Sequence, residues 1–158
     1  MTPIRVLFLC TGNSARSVIA EALLRQIGGA GFEAYSAGTH PKGINPYTER
    51  ALEEAGVGVE GLRSKNVAEF VGQSFDYVIT VCDSAAEECP VFPGASERIH
   101  WSFPDPAAIE GSDLQKLAAF QETVRGMRRR LELFVPVARR GPHTPRIGGQ
   151  GAAANSRV

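Results

Sequence analysis

The sequence predicts an α/β domain: a parallel sheet flanked by helices on both faces. Three observations predict it. Short β-rich apolar runs alternate with segments whose apolar residues recur every three or four positions, and helical crossovers between strands imply parallel pairing with right-handed connections. Two of the strands end in a cysteine, Cys10 and Cys82. With 158 residues, 43% apolar and 22% charged, the chain has the size and composition of one globular unit.

Ile4-Arg5-Val6-Leu7-Phe8-Leu9 forms the first candidate strand and ends at Cys10. After a Gly-containing turn, Val18, Ile19, Ala22, Leu23 and Ile27 mark a helix from about Ser17 to Ile27, stopped by Gly28 and Gly29. Glu33 to Ala37 is a second short strand. Asn45-Pro46 opens the next helix, with Asn as cap and Pro at the first helical position, and it runs to about Ala55 before Gly56. Ser64 to Val71 is compatible with a short helix. Phe75 to Val81 is a buried strand, and Arg98 to Trp101 a fourth. Leu117, Phe120, Val124, Met127, Leu131 and Phe134 give the last helix one apolar face, which is core packing rather than a cofactor site. Residues 1–137 are expected to form the folded unit. The Gly-, Pro-, Ala- and Arg-rich residues 138–158 are expected to be a disordered tail.

Seventeen basic and seventeen acidic side chains cancel, which removes any electrostatic argument for nucleic acid or an anionic membrane as partner. Arg128, Arg129 and Arg130 fit a solvated helix face near a helix C-terminus. No apolar run is long enough to span a bilayer, and the apolar stretch before Cys10 is too short and too closely followed by a turn to be a signal peptide. A cytoplasmic protein is expected, where thiols stay reduced and three cysteines are buried, catalytic or metal-bound. His40, His100 and His143 show no metal-ligand spacing, so neither metal nor organic cofactor is expected.

Cys10-Thr11-Gly12-Asn13-Ser14-Ala15-Arg16-Ser17 lies between the end of an apolar strand and the start of an amphipathic helix. A loop in that position turns successive backbone N–H groups toward one centre, and the helix N-terminus adds partial positive charge there. Gly12 is expected to take a backbone conformation that other residues rarely adopt. Arg16 offers a planar fork for a tetrahedral oxyanion. Such a cradle favours the thiolate form of Cys10, which makes it the candidate nucleophile. Ser17 is placed to donate to the sulfur, and Asn13 to brace the loop. The bland alternative is a buried cysteine near an unrelated surface arginine, which leaves the coincidence of all these parts unexplained.

Phe103-Pro104-Asp105-Pro106 holds one carboxyl between two stiffening prolines, the right type of group to protonate an oxygen leaving the oxyanion. An ordinary turn aspartate is the competing reading. Cys82 and Cys89 stand seven residues apart around a short polar segment closed by Pro90. If that segment is helical, the two Cα atoms are about 10 Å apart, against roughly 4.4–6.8 Å for a disulfide. Bonding them requires unwinding, which a helix this short resists little. Two small hydrophobes filling gaps beside a sheet would account for the pair equally simply.

Together, Cys10 to Ser17, Tyr35-Ser36-Ala37-Gly38, Cys82 to Cys89-Pro90, and His100-Trp101 with Asp105-Pro106 resemble the arsenate reductases of the low-molecular-weight tyrosine phosphatase superfamily, particularly the thioredoxin-linked group. The resemblance spans roughly Ile4 to Val135. It implies a four-stranded parallel sheet and a sequence of thiol steps on arsenate. Cys10 attacks arsenate as Asp105 protonates the departing oxygen; Cys82 attacks Cys10 and arsenite leaves; Cys89 attacks Cys82, and thioredoxin reduces the Cys82–Cys89 disulfide. Glutaredoxin or a small thiol is the alternative donor, and a monomer is expected. Some members bind potassium beneath the anion loop. Asn13, Glu21 and Ser36 match that site, but Lys65 stands where an acidic ligand is needed, so no ion is expected. The rival activity is a tyrosine phosphatase, disfavoured because Ala107 and Ala108 follow Asp105-Pro106 where an aromatic would grip a phenyl ring. An oxyanion or redox sensor without turnover would have no use for Asp105.

Overall fold

The computed structural model of the chain describes residues 2–93 and 96–141. Its elements follow in the order β1 (Ile4–Cys10), α1 (Arg16–Gly28), β2 (Phe32–Gly38), α2 (Pro46–Glu54), β3 (Tyr77–Thr80), α3 (Asp83–Glu88), β4 (Glu97–His100) and α4 (Asp113–Arg140). One-turn 3-10 segments occupy Val67–Phe70 and Pro106–Ala108. The four strands are all parallel, in the order β2-β1-β3-β4. The chain steps to one side of β1 for β2 and to the other for β3 and β4. Right-handed crossovers therefore put α1 and α3 on opposite faces.

Side chains three apart on a strand point to opposite faces, and β2 shows both. Phe32 meets Phe134 of α4 at a centroid distance of 6.3 Å, on the face where Tyr77 and Trp101 also close on Phe134 at 5.0 and 5.7 Å. Tyr35 points the other way, into a cluster with Phe70 and Phe75 at 5.7 and 5.8 Å, which Arg5 covers by stacking on Tyr35 and Phe75. Leu7, Phe8, Leu9, Val78 and Ile79 are fully buried between the layers, which is why β1 and β3 read as nearly unbroken apolar runs.

Asn45 caps α2 by accepting from the Tyr47 N–H at 2.8 Å, with Pro46 first in the helix as the sequence predicts. Ser112 and Gln115 form a reciprocal capping box at the start of α4. α4 runs further than expected. It continues through Pro136 to Arg140, with Ala138 fully buried and Arg139 lying over the Phe32 ring. Glu132 and Pro136 are both exposed, so the carbonyl freed by the missing proline N–H faces water and the helix survives. The boundary expected at residue 138 thus falls inside a helix, and residues 142–158 of the expected tail lie outside the described residues. Among the described residues no helix is long and apolar enough to cross a membrane.

Candidate active site

The reversal of strand order at β1 opens a crevice at the carboxyl ends of the strands. β1 ends there with Cys10. Leu9 pairs with Thr80, and the Val81 N–H donates to the Leu9 carbonyl at 2.9 Å, so Cys82 emerges at the same edge. The Thr11 hydroxyl lies 3.3 Å from the Cys82 sulfur and links the two strand ends. Cys10 and Cys82 are buried, Cys89 is half-buried, and all three thiols are free.

Between β1 and α1 the loop curls around a cavity of about 410 Å³. Cys10, Thr11, Gly12, Ser14, Ala15 and Arg16 line one side, and Asp105, Ala107, His40 and Lys42 the other. Among the described residues no side chain caps α1, and its first turn holds no acidic residue, in contrast to α2 and α4. The N–H groups of that turn and its positive dipole end are left for an anion.

Asn13 and Ser17 do not line the cavity; both are fully buried and act from behind. The Asn13 amide donates to the Ser17 and Ser36 hydroxyls at 2.8 and 3.0 Å, and its carbonyl accepts from the Lys65 N–H at 2.7 Å. The Ser17 hydroxyl lies 2.8 Å from the Cys10 sulfur and donates to it whenever Cys10 is a thiolate, which can only accept. Asn13 is also the residue with positive φ, +45°, where asparagine is tolerated better than most. This corrects the sequence expectation for Gly12. A Cβ at Gly12 would meet only the flexible Lys42 stem, at 2.9–3.3 Å.

The residues matching a cation site do converge, but they do not fit a cation. The Lys65 ammonium stands 3.5 Å from Glu21 Oε1 and donates to the Arg63 carbonyl at 2.9 Å. The Ser36 hydroxyl donates to the same carboxylate at 2.5 Å, and Arg25 pairs with its other oxygen. A fixed ammonium at this spot would repel an added ion. Burial pushes the Lys65 amine below its ordinary range, and the nearby Glu21 charge opposes that only in part. Among the described residues no group of three or more His, Cys, Asp or Glu side chains is arranged to hold a metal.

Arg16 ties the loop to the candidate acid. One guanidinium nitrogen donates to the Phe103 carbonyl at 3.0 Å, and another lies 3.9 Å from Asp105 Oδ2. The other Asp105 oxygen accepts from the Ala107 N–H at 3.0 Å, so the carboxyl caps the one-turn helix begun by Pro106. Cys89 stands apart from this cavity, at the far end of α3. Burial raises its thiol above the ordinary range, with Arg98 acting in the opposite sense.

A family model for low molecular weight phosphotyrosine protein phosphatase matches residues 5–139. The chain belongs to that family. Within the family its similar relatives include an arsenate reductase of Halalkalibacterium halodurans, 38% identical over 129 residues that cover 82% of this chain and 93% of that one. The arsenate reductase of Bacillus subtilis is 37% identical over the same shares of the two chains. Among solved structures, a thioredoxin-dependent arsenate reductase of Corynebacterium glutamicum is 32% identical with a TM-score of 0.66, covering 87% of this chain and 64% of that one.

His40 and Lys42 line the cavity without any local sequence pattern that marks them as site residues. They reach the site through the β1–β2 ladder, which runs in register to Cys10↔Gly38 and lays the following residues on the anion loop. The His40 and Lys42 N–H groups donate to the Thr11 and Gly12 carbonyls at 2.8 and 3.0 Å. The available signal was that residues just past the carboxyl end of a strand beside β1 must border its loop.

Proposed function

We propose that the chain reduces arsenate to arsenite. The observation that carries this reading is Cys82, buried beside the anion loop and in contact with Thr11, where a phosphatase needs no second thiol. The names of its relatives support the same activity. The cradle of Thr11, Gly12, Asn13, Ser14, Ala15, Arg16 and Ser17 receives the oxyanion, with Asn13 and Ser17 supporting from behind. The Cys10 thiolate attacks arsenic and Asp105 protonates the oxygen that leaves as water. The Cys82 thiolate then attacks the Cys10 sulfur. Its electron pair closes the Cys10–Cys82 disulfide, the S–As bond breaks, and arsenic departs as arsenite with the two electrons. Cys89 attacks Cys82 and releases Cys10 as thiolate, leaving a Cys82–Cys89 disulfide toward the surface.

Thioredoxin is the proposed reductant, supported by the thioredoxin-dependent relative from Corynebacterium glutamicum; glutaredoxin or a small thiol would serve the same chemistry. The catalytic unit comprises residues 1–137 extended through the end of α4, acting in the cytoplasm. Against aryl phosphates stands the wall of the cavity, where Ala107 offers no ring to stack on a phenyl group. The test is NADPH consumption with arsenate, thioredoxin and thioredoxin reductase. Wild type turns over repeatedly and Cys89→Ser stops after one cycle. Absence of arsenate-dependent oxidation with any thiol donor would refute the reading and leave aryl phosphates as the substrates to try.

A further inference from the structure

On the proposed relay, α3 must give way for Cys89 to reach Cys82, and two side chains of β4 reach the chain at its two ends. Arg98 and His100 are two residues apart on β4 and therefore point to the same side. One His100 ring nitrogen lies 2.7 Å from the Thr80 hydroxyl and the other 3.0 Å from Asp83 Oδ1, so the ring joins the end of β3 to the first residue of α3. At the other end, Arg98 donates to the Pro90 carbonyl at 2.5 Å, directly after Cys89. A cavity of about 160 Å³ lies between, bounded by Arg98, His100, Thr80, Ala86 and Cys89.

We propose that Arg98 and His100 are positioning residues for separate steps of the relay, His100 holding the Cys82 end of α3 in place and Arg98 preparing the Cys89 thiol to attack. The proposal rests on the reductase reading above. Closing the pair requires Cys89 to travel about 4–5 Å, from the span of a helix to that of a disulfide. If the Cys82 end moved instead, its sulfur would leave Thr11 and the Cys10 pocket. His100, braced by Thr80 and clasping Asp83, keeps the Cys82 sulfur at that pocket for its attack on Cys10 and confines the later unwinding to the Cys89 end, where the adjacent cavity leaves room. Ala85, fully buried, marks the anchored half of the helix.

Arg98 has the complementary task. Burial disfavours the Cys89 thiolate, and Arg98 is the charge among the described residues that counters it. His100 lines the same cavity, while Asp83 and Glu87 on α3 itself are exposed to solvent. In the exchange, Cys89 gives its proton to solvent and attacks the Cys82 sulfur. The Cys82–Cys89 bond forms, the Cys10–Cys82 bond breaks, and Cys10 leaves as thiolate with no net change in oxidation.

Two measurements on the full chain test this. The first is the rate of iodoacetamide alkylation of Cys89 against pH, in a Cys10→Ser, Cys82→Ser background. Arg98→Gln should raise the midpoint by about half to one pH unit, which is about three- to tenfold less thiolate at neutral pH, and Arg98→Lys should restore most of it. An unchanged midpoint overturns the role of Arg98. The second is rapid-quench single turnover with arsenate, with disulfides mapped by mass spectrometry. Arg98→Gln should accumulate the Cys10–Cys82 disulfide; His100→Ala should slow its formation; His100→Gln, which keeps a donor to Asp83, should recover it. Both variants slowing the same step overturns the division of labour. If wild type forms no arsenate-dependent disulfide, the reductase reading fails, and the alkylation titration still decides Arg98. Diamide in place of arsenate then decides His100, whose loss must slow Cys10–Cys82 formation or the assignment fails.

Discussion

Gly38 is where the second strand comes closest to the anion loop, and Gly38→Ala tests whether that approach sets the loop's shape. A Cβ at Gly38 would lie 2.5 Å from the Thr11 carbonyl oxygen, 2.9 Å from the Asn13 nitrogen and 3.0 Å from the Asn13 Cβ. Two of these atoms are backbone and cannot rotate away. Restoring an ordinary 3.4 Å contact requires the loop to retreat by about 0.9 Å. Displacement of about 1 Å in a positioning element costs on the order of 100-fold in rate, and overpacking costs about 1–3 kcal/mol in stability. Gly12→Ala is the control. Its Cβ would meet the flexible Lys42 stem, which swings aside, so stability should fall by less than about 1 kcal/mol. The assays are urea denaturation, titration calorimetry with arsenate, and kcat/KM in the coupled assay. Gly38→Ala should lose oxyanion affinity and kcat/KM far more than Gly12→Ala. Equal, small effects of both would refute the claim that contact with β2 shapes the loop.

Three further outcomes are expected. Phe134→Ala removes the ring that closes on Phe32, Tyr77 and Trp101, and should cost about 3 kcal/mol in urea denaturation with the active-site loop intact. Ser17→Ala deletes the hydroxyl between Cys10 and the Asn13 amide; kcat/KM should fall about tenfold, the loss of one hydrogen bond to a charged group, while thermal unfolding shifts only slightly. Lys65→Met leaves the buried Glu21 with Arg25 as its remaining ion-pair partner among the described residues and should destabilise by about 3 kcal/mol near neutral pH, partly recovered by adding Glu21→Gln. Because burial lowers the Lys65 pKa below its unfolded value of 10.5, the unfolded chain binds the extra proton in the alkaline window beneath that value. Lys65 therefore adds a rise in wild-type stability with pH across that window, and the rise should vanish in Lys65→Met denaturation curves.

Periodic packing was legible in the sequence; spatial neighbours were not. The apolar stripe of α4 and the Asn45-Pro46 start of α2 appear where local pattern and capping chemistry put them. The end of α4 is not legible locally, because Pro136 and the Gly-rich residues beyond it look like a stop. Long-range contacts of Ala138 and Arg139 with the rest of the fold carry the helix further, and the Arg139 guanidinium reaches the Gly28 carbonyl at 3.3 Å. The backbone of the anion loop departs from local expectation for a similar reason. Glycine is the usual occupant of a left-handed position, yet Asn13 takes it, held by four side-chain and backbone partners from β2, α1 and the segment around Lys65. Lys42 and His40 left no local trace, since only the register of β1 against β2 brings them to the cavity.

Strand order also gives a phosphatase fold a route to redox chemistry. A parallel sheet whose strand order reverses at β1 must bring the carboxyl ends of β1 and β3 side by side, whatever residues occupy them. A thiol just past β3 is then beside the nucleophile loop without any rearrangement of the cradle, the acid or the core. On the proposed mechanism, that placement supplies the first disulfide, and what remains is to move the disulfide out of a buried crevice. The cheapest segment to sacrifice is one with little stability of its own, and the six residues of α3 meet that requirement. The reductase reading thus asks for no new fold element. It asks for two thiols at the ends of a helix short enough to unwind, next to a strand that can hold one end still.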